Sequence, residues 1–241
     1  MNANTGFPMS PVLIDGFPVY GFDDVPSAAR WILSTSNRPN IAIALNAEKI
    51  VASRGEPEKF EQLKQIAFFY PDGAPVVWLL RRRQILSKRI PGVELWEELM
   101  RAAGDRKVYL LGASEDVNKA TAEKLRADFG LTNLHRRNGY FEDEDAVISE
   151  IASIQPDIVS VAMGSPRQET FISKASKVCP HTFFMGVGGT YDVFTGRVKR
   201  APVWMQRIGM EWLYRTLLQP KRIVRDWQRL KFLYLFLTRQ V

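Results

Sequence analysis

The stretch Asp157-Ile-Val-Ser-Val-Ala-Met-Gly-Ser-Pro-Arg-Gln168 carries two structural signals back to back. Asp157 to Ala162 is short, apolar and β-branched, the composition of a buried strand. Gly164-Ser-Pro-Arg-Gln168 then reads as a helix start. Ser165 is placed to cap, Pro166 to take the first helical position, and Gln168 to sit at the capping-box position. A buried strand feeding straight into a helix is the building unit of a parallel α/β sheet.

The same unit recurs on both sides of that stretch. Asn40-Ile-Ala-Ile-Ala-Leu45 reads as a strand, and so does Lys107-Val-Tyr-Leu-Leu111. The second is followed by Gly112 and by Ser114-Glu-Asp, a helix start whose helix runs to about Phe129 and stops at Gly130. Thr182-Phe-Phe-Met-Gly-Val187 is a further strand, ending in Gly188-Gly189. Right-handed crossovers between such units put the strand C-termini on one edge, where α/β proteins bind ligands. Gly112, Gly164 and the run Gly186 to Gly189 fall at three of those ends. Two readings stand for them: ordinary βα turns, or bare backbone that a ligand approaches beside helix N-termini able to hold phosphate. Three together on one edge bring a nucleotide-type ligand level with the plain-turn reading. No complete GxGxxG or Walker A motif is present, which disfavours a plain NAD enzyme or a P-loop ATPase.

The chain has 241 residues, 46% hydrophobic and 24% charged, the balance of a folded protein with a sizeable core. The single Cys179 permits no internal disulfide, which suits a reducing compartment. The two histidines, His135 and His181, lie at no metal-ligand spacing, so no metal site and no cofactor are expected. The first residues lack the basic start and apolar stretch of a signal peptide, and no apolar run approaches the length of a spanning helix.

Net charge is +7, and its location matters more than its size. Residues 197–241 hold eleven Lys or Arg against Glu211 and Asp226, or +9, which leaves −2 for the rest. From Lys221 this tail reads as a helix with Arg222, Arg225 and Arg229 on one face. Ile223, Trp227, Leu230, Tyr234 and Leu237 lie on another, and Trp204, Ile208 and Trp212 form a second apolar stripe upstream. Basic residues beside Trp, Tyr and Phe suit a helix lying in a membrane interface. The alternative is a helix packed on the core with a solvated basic face. A nucleic-acid partner is not expected, because no binding motif is present and the apolar bulk exceeds what phosphate contact needs.

Asp72 is the only carboxylate in the apolar run Ala67 to Leu80. Pro71-Asp72-Gly73 suits a turn in which proline presets φ and glycine takes the strained position. That turn is the stronger reading of these residues in isolation; the other is that apolar flanks desolvate a carboxylate and make it a better base. Asn46 can cap the helix after its strand or touch a substrate. Arg89, before Ile90-Pro-Gly92, can be surface charge or an anion clamp.

Taken together these segments resemble the WecG/TagA/CpsF family of bacterial glycosyltransferases. The resemblance runs from about Val12 to the C-terminus. It is carried by Leu45-Asn-Ala-Glu-Lys-Ile50, Tyr70-Pro-Asp-Gly73, Arg89 to Leu99, Val161-Ala-Met-Gly-Ser-Pro-Arg-Gln-Glu169, Met185 to Gly196, Lys199-Arg-Ala-Pro202, Glu211 to Arg215 and Pro220 to Arg225. It implies a Rossmann-like α/β core over 1–196 with helices on both faces, and a C-terminal helical, membrane-docking appendage over 197–241. It implies inverting transfer of N-acetyl-mannosaminuronic acid from its UDP-sugar to undecaprenyl-diphosphate-linked N-acetylglucosamine, without a metal. The enzyme would sit peripherally on the cytoplasmic face of the inner membrane, with an oligomer compatible with this reading. Carried over by position, Asp72 is the general base, Asn46 and Gln168 are polar contacts around the reacting sugars, and Arg89 is an active-site cation. Gly186, Gly188 and Asp192 fall at the nucleotide and Tyr140 at the base, and Gly112 and Gly164 join them as candidate contacts on the strand-end reading above. Arg215, Arg222 and Arg225 match the arginines of the appendage. Teichoic-acid members have a threonine where this chain has Ala44, which fits a different donor sugar. A UDP-N-acetylmannosamine transferase and a non-catalytic nucleotide-binding membrane adaptor are the competing readings.

Overall fold

The computed structural model describes residues 10–34, 38–202, 205, 214 and 231–238. Its strands are β1 (Val12–Ile14), β2 (Phe17–Val19), β3 (Ile41–Leu45), β4 (Phe68–Pro71), β5 (Val108–Gly112), β6 (Leu134–Arg137), β7 (Ile158–Ala162) and β8 (Phe183–Gly186). They form one eight-stranded sheet in the order β1-β2-β4-β3-β8-β7-β5-β6. Only β1 runs antiparallel, joined to β2 through Asp15 (φ 51°) and Gly16 (φ 82°), an Asp-Gly hairpin turn with both residues left-handed. All other neighbours pair in parallel, so their C-termini share one edge.

Helices cover both faces. α2 (Ala47–Gly55), α3 (Glu61–Ile66), α4 (Ala74–Arg82), α7 (Glu144–Ile154) and α8 (Arg167–Val178) bury Ile50, Leu63, Leu80, Ile151 and Phe171 against one side. α1 (Val25–Ser34), α5 (Gly92–Arg101), α6 (Glu115–Phe129) and α9 (Thr190–Phe194) bury Trp31, Trp96, Leu125 and Tyr191 against the other. The central strands are buried on both faces, and β3, β5, β7 and β8 accordingly read as apolar runs rather than alternations. This is the expected Rossmann-like α/β architecture. The chain leaves β5 for β6 through α6 on one face and leaves β7 for β8 through α8 on the other. The crevice between the β7 and β5 ends is therefore a topological switch point.

Local chemistry departs from expectation at two junctions. Pro71-Asp72-Gly73 is no β-turn. Pro71 ends β4, the Asp72 N–H continues the ladder by donating to the Leu45 carbonyl at 3.1 Å, and Gly73 is extended (φ −116°, ψ 147°) as the residue before α4. Sheet pairing with β3 holds the backbone straight where turn propensity alone bends it. At α8, Pro166 occupies the N-cap position and no side chain caps the helix, so Ser165 is not the cap. Gln168 turns inward instead of closing a capping box. α6, by contrast, starts after Ser114 and ends at left-handed Gly130, as its sequence predicts, although the Ser114 hydroxyl makes no capping bond.

Residues 231–237 are helical and pack on α4. Phe232 is buried, the Phe236 ring lies 3.6 Å from the Arg82 guanidinium carbon, and Arg82 donates to the Phe236 carbonyl at 3.1 Å. Leu233, Tyr234 and Leu237 on the same stretch are exposed. Among the described residues no helix is long and apolar enough to cross a membrane.

Candidate active site

The register of the sheet brings the candidate residues into line. Leu45 pairs with Pro71, so the next residues, Asn46 and Asp72, leave their strands side by side. Ile43 pairs with Gly186, Val161 with Gly186, and Gly112 with Ala162. Along the edge the order is therefore Asp72, Asn46, Gly186 to Gly188, Gly164, Gly112, and finally Asn138 to Tyr140. At about 4.8 Å per strand, Asp72 and Gly112 stand about 19 Å apart.

Asp72 is held from two directions. Its Oδ1 accepts from the Gly92 N–H at 3.2 Å, at the first residue of α5. Arg89 Nε donates to the Asp72 backbone carbonyl at 2.6 Å, and Arg89 Nη2 stands 3.9 Å from Oδ1. Both side chains keep 28% exposure, so the carboxylate is part-dry and still reachable. Arg89 is thus a clamp on the Asp72 segment rather than bare surface charge. Below it, the Tyr70 hydroxyl is fully buried without a hydrogen-bond partner among the described residues. Burial, with the Asp72 charge adding to it, pushes that hydroxyl well above its ordinary range, so Tyr70 stays protonated.

Asn46 does cap its helix: its Oδ1 accepts from the Lys49 N–H at 2.9 Å. Such a cap contributes about 1 kcal/mol, and it fixes the Asn46 side chain next to Gly73, whose added Cβ would come within 3.7 Å of Asn46 Cβ. Gln168, only 5% exposed, accepts from the Gly188 N–H at 2.9 Å and donates to Glu169 Oε1 at 3.2 Å. A Cβ on Gly186 would fall 2.9 Å from the Gln168 amide nitrogen, so the bare backbone there makes room for that side chain.

The other half of the edge is built of backbone. Gly112 is left-handed (φ 112°), and a Cβ there would stand 2.4 Å from the Ala162 carbonyl oxygen. Gly139 in turn packs on Gly112, with its hypothetical Cβ 3.1 Å from the Gly112 Cα. Gly164 (φ 77°) has nothing within 4 Å of such a Cβ and faces open space. Tyr140 is 81% exposed, its backbone N–H held by Asn138 at 3.0 Å. Asp192 lies half-exposed in the first turn of α9, just past Gly189. Arg167 joins the β7 and β6 ends by donating to the Gly139 carbonyl at 3.0 Å. Arg215, Arg222 and Arg225 lie outside the described residues.

The edge thus carries polar side chains at its Asp72 end and glycine-lined backbone at its Gly112 end. The protein-family model described as the glycosyl transferase WecG/TagA/CpsF family matches residues 13–241. The chain belongs to that family. It is a glycosyltransferase of surface-polysaccharide synthesis, and its family uses a nucleotide-sugar donor and a lipid-linked acceptor.

In this transferase the sequence singled out Asp72, Asn46, Arg89 and Gln168; Asp72 and Asn46 leave neighbouring strands, Arg89 reaches Asp72 from the segment before α5, and Gln168 stands past β7 with the β8 end between it and Asn46. The sequence missed Lys49 and Glu169. Lys49 Nζ pairs with Glu169 Oε1 at 2.6 Å, with side chains only 7% and 1% exposed. Burial alone would raise the Glu169 carboxyl. The Lys49 ammonium and the bonds from Lys49 and Gln168 outweigh it and hold the group below its ordinary range. Neither residue carries a local signal, because the partners lie 120 residues apart.

Proposed function

We propose that the enzyme is an inverting transferase that moves N-acetyl-mannosaminuronic acid from UDP to the N-acetylglucosamine of an undecaprenyl-diphosphate-linked acceptor. In enterobacterial common antigen synthesis this is the step from lipid I to lipid II. The observation that carries the reading is the Asp72 carboxylate, oriented by the Gly92 N–H and Arg89 beside Asn46 and left partly open.

In this reading Asp72 takes the proton of the acceptor hydroxyl as its oxygen attacks the anomeric carbon. The bond from that carbon to the UDP oxygen breaks, and the leaving diphosphate carries away the electron pair. Asn46 and Gln168 hold the sugars. Gly112, Gly164, Gly186, Gly188 and Asp192 line the nucleotide, and Tyr140 lies against the base. Arginines stabilise the charge that develops on the diphosphate, with Arg215, Arg222 and Arg225 supplying it from the appendage. The basic, Trp-rich segment 197–241 brings the enzyme reversibly to the anionic cytoplasmic face of the inner membrane, where the acceptor resides. The exposed Leu233, Tyr234 and Leu237 support that docking.

The test is UDP release from UDP-N-acetylmannosaminuronate, UDP-N-acetylmannosamine and UDP-glucose in turn, with lipid-linked N-acetylglucosamine in anionic vesicles. Fastest release with the uronate, and inversion at the anomeric carbon, are expected. Preference for the uncharged N-acetylmannosamine donor moves the enzyme to teichoic-acid-type synthesis. UDP binding without release from any donor makes it an adaptor.

A further inference from the structure

The buried Lys49–Glu169 pair lies outside the chemistry described above, yet its contacts lead into it. The Lys49 backbone N–H holds the Asn46 carboxamide at 2.9 Å, and its ammonium holds Glu169 Oε1 at 2.6 Å. The same oxygen accepts from Gln168 Nε2 at 3.2 Å, and Gln168 Oε1 accepts from the Gly188 N–H at 2.9 Å. One chain of contacts thus ties the end of β3 to the start of α8 and to the loop after β8. We propose that Glu169 is a positioning residue, its buried charge balanced by Lys49: it orients Gln168, and through it Gly188, relative to Asn46 and Asp72.

Stability alone does not account for the pair. Taking two charges out of water costs several kcal/mol per ion, and a well-packed apolar pair often serves a fold as well. Here the desolvated carboxylate is incompletely satisfied, since Glu169 Oε2 is buried with no partner among the described residues. What an apolar pair cannot do is accept from Gln168 Nε2. Without that acceptor the Gln168 amide is free to rotate or flip, and Gly188 loses the oxygen that holds its N–H. Catalysis is sensitive to such displacements, because a misplacement of about 1 Å can cost about 100-fold in rate.

The test separates an anchor for Gln168 from mere space-filling. Lys49→Met with Glu169→Gln removes both charges and keeps an acceptor oxygen. Lys49→Met with Glu169→Met removes both charges and the acceptor. Both variants are compared for kcat, donor KM and exchange of the Gly188 amide. The glutamine variant is expected to stay within about threefold of the native kcat. The methionine variant is expected to lose a further 10- to 100-fold in kcat, with donor KM changed less than about threefold and Gly188 exchange at least tenfold faster. If the methionine variant fails to fold, Lys49→Met with Glu169→Ala takes its place. Equal kcat in the two variants overturns the proposal, whatever their exchange rates. The proposal rests on the transferase reading for its kinetic arm only. If native protein transfers no sugar, that reading fails, and the Gly188 exchange comparison still decides whether the pair positions Gln168, with equal exchange overturning it.

Discussion

The two halves of the sheet edge are assembled from different materials. At the ends of β4, β3 and β8, side chains meet side chains and backbone amides: Asp72 with Gly92 and Arg89, Asn46 with Lys49, Gln168 with Gly188 and Glu169. At the ends of β7, β5 and β6 the closest packing is backbone on backbone, Gly112 pressed on Ala162 and Gly139 on Gly112, with the Arg167 and Asn118 side chains donating to the Gly139 and Gly112 carbonyls. Side chains can carry and move protons, whereas bare backbone offers N–H groups and close approach. In the proposed mechanism the first half serves the chemistry and the second holds a ligand, and changes to each should fail differently.

The largest effect is expected at Asp72. Asp72→Asn keeps the shape and the oxygen that accepts from Gly92 but removes the base. Turnover should fall by about 10²- to 10⁴-fold, with UDP affinity and melting temperature nearly unchanged. Native turnover in this variant would remove Asp72 as the base and break the division between the halves.

Gly112→Ala should fail the other way. The added methyl meets the Ala162 carbonyl at 2.4 Å in a left-handed backbone position. Strain and overpacking together should cost about 3 kcal/mol, lowering the melting temperature by about 6–12 °C for a chain of this size. Both stability and nucleotide affinity should suffer in calorimetry. A variant as stable as the native enzyme would show that the two strands spread easily at the crevice.

The smallest effect is one of pH. The Glu169 carboxyl is lowered from an ordinary 4.5, so the folded state binds its proton less readily than the unfolded chain. That stabilisation is complete above about pH 4.5 and is lost as pH falls through the folded value. Melting temperature should therefore drop more steeply below pH 4.5 in the native enzyme than in the Lys49→Met, Glu169→Gln variant. Parallel acid profiles would mean that the pair contributes nothing to pH-dependent stability, and would blunt the contrast between the halves.

Much of the fold was legible because its signals are local. Apolar runs at Ile41–Leu45, Val108–Gly112, Ile158–Ala162 and Phe183–Gly186 are strands, and Gly130 ends α6. The Asp15-Gly16 hairpin was equally legible, and sequence reading passed over it. Strand β6, Leu-His-Arg-Arg, has no apolar run to read, since it is an edge strand with every side chain half-exposed. At Pro71-Asp72-Gly73 turn propensity misled, because the ladder to β3 overrides a weak local preference.

By itself the sequence determined the α/β class, most of the central strands, and the family, since periodicity, composition and motifs are properties of neighbours along the chain. Only the tertiary structure decided that Asp72 adjoins Asn46, that Arg89 clamps its segment, that Gly186 is bare to admit Gln168, and that Lys49 meets Glu169. These depend on strand order and register, which bring residues far apart in the chain within 3–4 Å, and no local pattern encodes that proximity.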